Sequence, residues 1–124
     1  SIDGATKETY EKLRLGGKWE KILEGLECMA EQKQKHGFRF ILHFVVQKDN
    51  YHEMEKIVDL GEQYGADRVW LNKMEDWGTI DDFRTQDIFN HAHNEHTQYQ
   101  TLLDNLKQRA KGNNLIEAPT LFKY

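Results

Sequence analysis

The chain has 124 residues, about one domain on length alone, and its 38% hydrophobic and 31% charged side chains are ordinary for a globular protein. A formal charge of −4 with no basic run set apart from acids argues against a nucleic-acid module. No stretch is long and apolar enough to cross a bilayer and no signal-peptide layout opens the chain, so no membrane partner and a cytoplasmic location are expected; the single cysteine, Cys28, excludes an internal disulfide and any site built from several thiolates of this chain.

Ser1-Ile2-Asp3-Gly4 reads as the last turn of a strand breaking at a glycine, which implies that the sequence starts inside a larger fold. Thr6 is a plausible N-cap for a helix over 6–16, with Tyr10 and Leu13 on one face and Gly16-Gly17 as its stop. A second helix is predicted over 18–36. Trp19, Ile22, Leu23, Leu26, Met29 and Ala30 give it an unbroken apolar stripe, and Gly37 stops it. Cys28 sits off that stripe and reads as a solvent-side or partly buried structural thiol.

From Phe38 to Met74 the pattern is strand, helix, strand. Phe38, Phe40, Leu42, Phe44 and Val46 alternate with Arg39, Ile41, His43, Val45 and Gln47, the period of a strand over 38–47. Asn50 stands three residues before Glu53, a capping-box-like start to a helix over 51–64 that buries Met54, Ile57, Val58, Gly61 and Tyr64 and ends at Gly65. Val69 and Leu71 alternate with Trp70 and Asn72 in a strand over 68–73. A helical crossover of this length makes the two strands parallel. A loop from Glu75 to about His93 carries Trp77-Gly78, either a lid or a tryptophan packing the loop onto the last helix. That helix is predicted over 94–111, burying Tyr99, Leu102, Leu103, Leu106 and Ala110, with Gly112 closing it. Leu115 to Ala118 reads as one more short strand, confined to an edge by Pro119.

The alternation of strands and helices defines an α/β fold in a single domain over 1–124, with two to three parallel strands and four or so helices. The apolar strand positions belong under the helices. Arg39, His43, Gln47, Trp70 and Asn72 then share the opposite face, which is either the lumen of a β/α barrel or a face open to water. His91, His93, Glu95 and His96 are close enough to suggest a metal, but no cysteine or aspartate completes the set, and a solvated helix start accounts for them; no metal site is expected.

Ser1-Ile2-Asp3-Gly4-Ala5, Tyr10-Glu11-Lys12-Leu13-Arg14 with Gly16-Gly17, Val45-Val46-Gln47-x-x-Asn50, and Asn72 with Trp77-Gly78 are similar in order and spacing to radical S-adenosylmethionine enzymes. The subgroup that the chain resembles carries a cysteine-rich (SPASM) or twitch extension. The resemblance covers roughly Ser1 to Gly78. It implies a partial β/α barrel of about six strands, of which this chain holds the C-terminal half: Ser1 to Gly4 as the end of the fourth strand, 38–47 as the fifth and 68–73 as the sixth. It also implies cofactor contacts. Ser1 and Arg14 would approach the methionyl part of S-adenosylmethionine, and Gln47, Asn50, Leu71 and Asn72 the ribose and adenine. The residues by themselves also read as turn formers at Ser1 and Asp3, a surface charge at Arg14 and a helix cap at Asn50.

The family's reaction depends on a Cys-x3-Cys-x2-Cys loop that holds a [4Fe–4S] cluster, whose electron cleaves the cofactor to a 5′-deoxyadenosyl radical for hydrogen abstraction. This chain lacks the loop. The resemblance therefore implies an oxidoreductase parent and an inactive fragment with no catalytic residues of its own, carrying neither cofactor. The expected partners are the missing N-terminal half of the barrel and a second copy of this chain in a homodimer. The alternative is a free-standing α/β binding or assembly module without catalysis.

Overall fold

A computed structural model describes residues 1–74, 88–90 and 93–122. Trp77, Gly78 and His91 lie outside the described residues. The elements in chain order are α1 (Lys7–Leu13), α2 (Trp19–His36), β1 (Ile41–Val46), a 3-10 turn (Tyr51–Glu53), α3 (Met54–Tyr64), β2 (Arg68–Lys73), α4 (His96–Ala110) and β3 (Ile116–Glu117).

The three strands form one parallel sheet in the order β1-β2-β3. Ile41 stands opposite Arg68 and Val46 opposite Lys73. On the far side of β2, Val69 pairs with Ile116 and Trp70 with Glu117. On the free side of β1, the Ile2 N–H donates to the His43 carbonyl at 2.8 Å. The opening residues therefore lie beside β1, and Ile2 is buried.

β1 starts at Ile41 rather than at Phe38. β2 begins only at Arg68, so the ladder has no partner for Phe38 and Arg39, and both side chains are exposed. Phe40 is the anchor at that end: its N–H donates to the Asp67 carboxylate at 2.9 Å and its carbonyl accepts from the Asp67 N–H at 2.9 Å. α1 is likewise shorter than the sequence suggests, because Arg14 leaves helical backbone at φ −114°, ψ 86° and Gly16 turns left-handed at φ 84°.

The main core lies between the sheet and the helices. Phe44, Val46, Val69 and Leu71 from the strands meet Met54, Ile57 and Val58 of α3 and Leu103 and Leu106 of α4 in one buried cluster. Burying each large side chain here contributes about 1.5–3 kcal/mol before entropy costs. Gly61 is where α3 comes closest to β2, since a Cβ there would run into Val69 Cγ2.

α2 forms over Trp19–His36 and stops at Gly37, but its stripe is only partly covered. Of its apolar stripe only Leu26 is buried, Trp19, Ile22, Leu23 and Ala30 are half-buried, and Met29 is 43% exposed. The helix packs on α1 and α3 at the margin of the sheet, so a stripe wide enough for a core meets only part of one. Cys28 is exposed. No helix among the described residues is long and apolar enough to cross a membrane.

Candidate functional site

Two buried polar side chains set the geometry at the C-terminal ends of the strands. Asn50, fully excluded from water, caps no helix: its Oδ1 accepts the Gln47 N–H at 2.8 Å, and its Nδ2 donates to the carbonyls of Val45 at 2.8 Å and Asp3 at 3.0 Å. It thus ties the opening segment to the end of β1. Glu53 is 2% exposed and does not close a capping box either. Its carboxylate reaches across to the start of α1, where it accepts from the Ala5 N–H at 2.7 Å and from the hydroxyls of Thr6 at 2.6 Å and Thr9 at 2.9 Å. Burial alone would raise its pKa, but these three donors and the neighbouring His52 more than offset that and hold the carboxyl below the ordinary range. Gly4 lets the chain pass this point, since a Cβ there would sit 2.5 Å from the Tyr10 backbone nitrogen.

Above these anchors opens a cleft of about 540 Å3, within the size range of small-molecule sites. Ser1, Asp3, Arg14, His43, Val45, Gln47, Asn72 and Thr120 are among its walls. Arg14 Nε donates to Asp3 Oδ2, which leaves the terminal guanidinium nitrogens without a partner among the described residues. The Gln47 side-chain amide is also without one. Asn72 is heavily engaged. Its Oδ1 faces Trp70 Nε1 at 3.0 Å and Thr120 Oγ1 at 3.4 Å, while its Nδ2 lies 2.8 Å from His43 Nε2.

The structure brings Ser1, Arg14, Gln47 and Asn72 together on this cleft. Asn50 and Leu71 are not on its wall. Asn50 is spent beneath it, and Leu71 is fully buried on the helix side of β2, because strand alternation turns it away from Asn72. Asp3 joins through its pair with Arg14. His43 was marked for this face by the alternation alone. Thr120 carried no sequence signal, because it arrives from the turn after the edge strand β3.

On the far side of β2, burial among Tyr51, Phe89 and His96 pushes the Tyr99 phenol well up. The histidines near α4 hold local structure: His93 Nδ1 accepts the Glu95 N–H at 3.0 Å, and His96 Nδ1 lies 2.8 Å from the Ile88 carbonyl. No group of three or more His, Cys, Asp or Glu side chains among the described residues is placed to hold a metal ion. Compared with known proteins, the chain matches no family model, no curated protein and no solved structure.

Proposed function

We propose that the chain is the C-terminal half of a radical S-adenosylmethionine barrel and that the cleft holds the methionyl and ribose parts of that cofactor in the complete enzyme. One observation carries this reading: residues 1, 14, 47 and 72, far apart in sequence, meet in one cleft at the C-terminal ends of parallel strands. Ligands bind at that end in β/α barrels. The donors on Arg14 and the amide of Gln47 that have no partner among the described residues suit a carboxylate and sugar hydroxyls.

The iron-sulfur cluster does not fit on this chain, whose one cysteine is exposed on α2. In this reading the N-terminal half of the barrel contributes the cluster, which supplies the electron for reductive cleavage of the cofactor. This chain's residues bind and orient. A second copy of the chain covers the open sheet face when the other half is missing.

The test uses the complete protein encoded by the reading frame that contains Ser1. That frame is expected to encode a Cys-x3-Cys-x2-Cys loop upstream, and Gln47→Ala is expected to slow deoxyadenosine formation about tenfold with cluster content unchanged, the loss of one hydrogen bond in a dry site. Unchanged turnover in Gln47→Ala sinks the cofactor assignment. A frame without the three cysteines favours the competing reading, a free-standing α/β binding module.

A further inference from the structure

Trp70, Asn72 and His43 form a hydrogen-bonded chain whose direction follows from chemistry. An indole N–H can only donate, so the Asn72 atom 3.0 Å from Trp70 Nε1 is the amide oxygen. The Thr120 hydroxyl donates to the same oxygen. That orientation turns Asn72 Nδ2 toward His43 Nε2 at 2.8 Å, and an amide nitrogen offers no lone pair, so Nε2 must accept. A neutral imidazole has one N–H, and accepting at Nε2 places it on Nδ1.

That N–H has no partner among the described residues, yet His43 is half-buried and lines the cleft. Its ring meets Trp70 edge to face, with centroids 6.3 Å apart and planes at 76°. His43 and Asn72 also line a shallower hollow with Ile41 and Trp70, so the imidazole stands between two concave spaces, and the other walls of the shallower one are apolar or already hydrogen-bonded.

We infer that His43 contacts the ligand at the floor of the cleft, donating from Nδ1 to a carboxylate or carbonyl oxygen, with Trp70 and Asn72 as positioning residues that fix its tautomer. The inference rests on the part of the proposed function that makes the cleft a small-molecule site, and not on the ligand being S-adenosylmethionine. It carries a selectivity: a ligand ammonium at this position sets N–H against N–H, while an oxygen acceptor is held. The carboxamide of Asn72 therefore matters as a donor, and an aspartate there reverses the chain.

The test reads the tautomer directly by nitrogen-15 NMR of the full chain at about pH 8, where an ordinary imidazole is neutral. A His43→Gln spectrum assigns the resonance among the six histidines. Wild type is expected to show Nδ1–H. Asn72→Asp, which puts an acceptor in place of the donor, is expected to show Nε2–H, and Trp70→Phe, which frees the amide to turn, a mixture of the two. Nε2–H in the wild type, or a folded Trp70→Phe variant with an unchanged pattern, overturns the positioning chain. Millimolar acetate and acetamide are the ligand probes. Either one is expected to shift the His43 Nδ1 resonance in a saturable way, with an affinity about tenfold weaker in Asn72→Asp. No shift with either probe overturns the ligand contact. The Gln47→Ala result has no bearing on these spectra, so the two readings fail separately.

Discussion

Leu42, Phe44 and Val46 face α3 and are shut off from water, while Ile41, His43 and Val45, one residue along the same strand, point to the opposite face and are exposed or half-buried. β2 repeats the division, with Val69 and Leu71 fully buried and Trp70 37% exposed. A parallel sheet is normally covered on both faces, so the side left bare among the described residues is the unusual one. The covered side holds the fold together. The bare side keeps its polar groups near water, where His43, Gln47 and Asn72 cost little, and is free to carry hydrogen-bonding groups that a core could not tolerate unpaired.

The sharpest way to break this comparison is to cut one residue from each face of β1. Phe44→Ala removes a fully buried ring and is expected to lower stability by about 4 kcal/mol, whereas His43→Ala is expected to cost less than about 1 kcal/mol. Urea unfolding midpoints measure both. Equal losses would mean that the two faces do not divide the work.

Glu53 tests whether the covered side accepts a charge only because that charge is fully engaged. Glu53→Ala strands three donors at the start of α1 and is expected to cost about 3 kcal/mol. The pH dependence has a definite sign. The folded carboxyl lies below its unfolded value, so its stabilisation is complete above the unfolded value of about 4.3 and is lost as pH falls through the lower folded value. Wild type should therefore lose more stability than Glu53→Gln when thermal unfolding at neutral pH is compared with unfolding at about pH 3. Parallel losses in the two proteins would show that other carboxylates govern the acid limit.

The strand faces were legible because alternation is local: Phe40 to Val46 and Val69 to Asn72 point as the pattern requires. Gly37 and Gly65 stop their helices with φ of 69° and 74°, and Pro119 follows an edge strand of two residues. The purposes of Asn50 and Glu53 were not legible. Their spacing is that of a capping box, and the same two residues instead reach Asp3 and Thr6, 47 positions away in each case. A side chain's local and distant partners compete, and spacing records only the local ones. α2 forms where its stripe and Gly37 put it, but the extent of its burial was not legible, because a stripe specifies that a face is apolar and not how much of it a neighbour covers. On the cleft, alternation put Gln47 and Asn72 on one face, whereas Ser1 and Arg14 were expected there only from the family resemblance, and Thr120 depends on the path of the chain after β3.

Asn50 lies at the seam between the two sides, and its removal is expected to act on both. Asn50→Ala deletes three hydrogen bonds in a buried site and is expected to cost about 2 kcal/mol. It should also loosen the opening segment, so the Ile2 amide, which donates to His43, is expected to exchange with solvent faster than the β2 amides. Loss of stability without faster exchange at Ile2 would confine Asn50 to the turn after β1.

The smallest effect concerns what covers the bare face when this chain is alone. Ile41 at 51% exposure shares a shallow hollow with Trp70, and exposed apolar groups of this kind on a small domain commonly mark an interface. With β1 bordered on its outer side, among the described residues, by the opening residues, two copies can meet face to face about a two-fold axis. Much of the area gained is offset by the cost of association, so the dimer is expected to be weak. A charge at the centre of the patch should be felt there and nowhere in the core. Ile41→Lys is expected to raise the dimer dissociation constant about tenfold, equivalent to about 1.4 kcal/mol, with the unfolding midpoint of the monomer unchanged. Sedimentation over a range of concentrations reads both states. A wild-type chain that stays monomeric throughout would show that the bare face needs no cover, and an undiminished dimer in Ile41→Lys would move the interface to another surface.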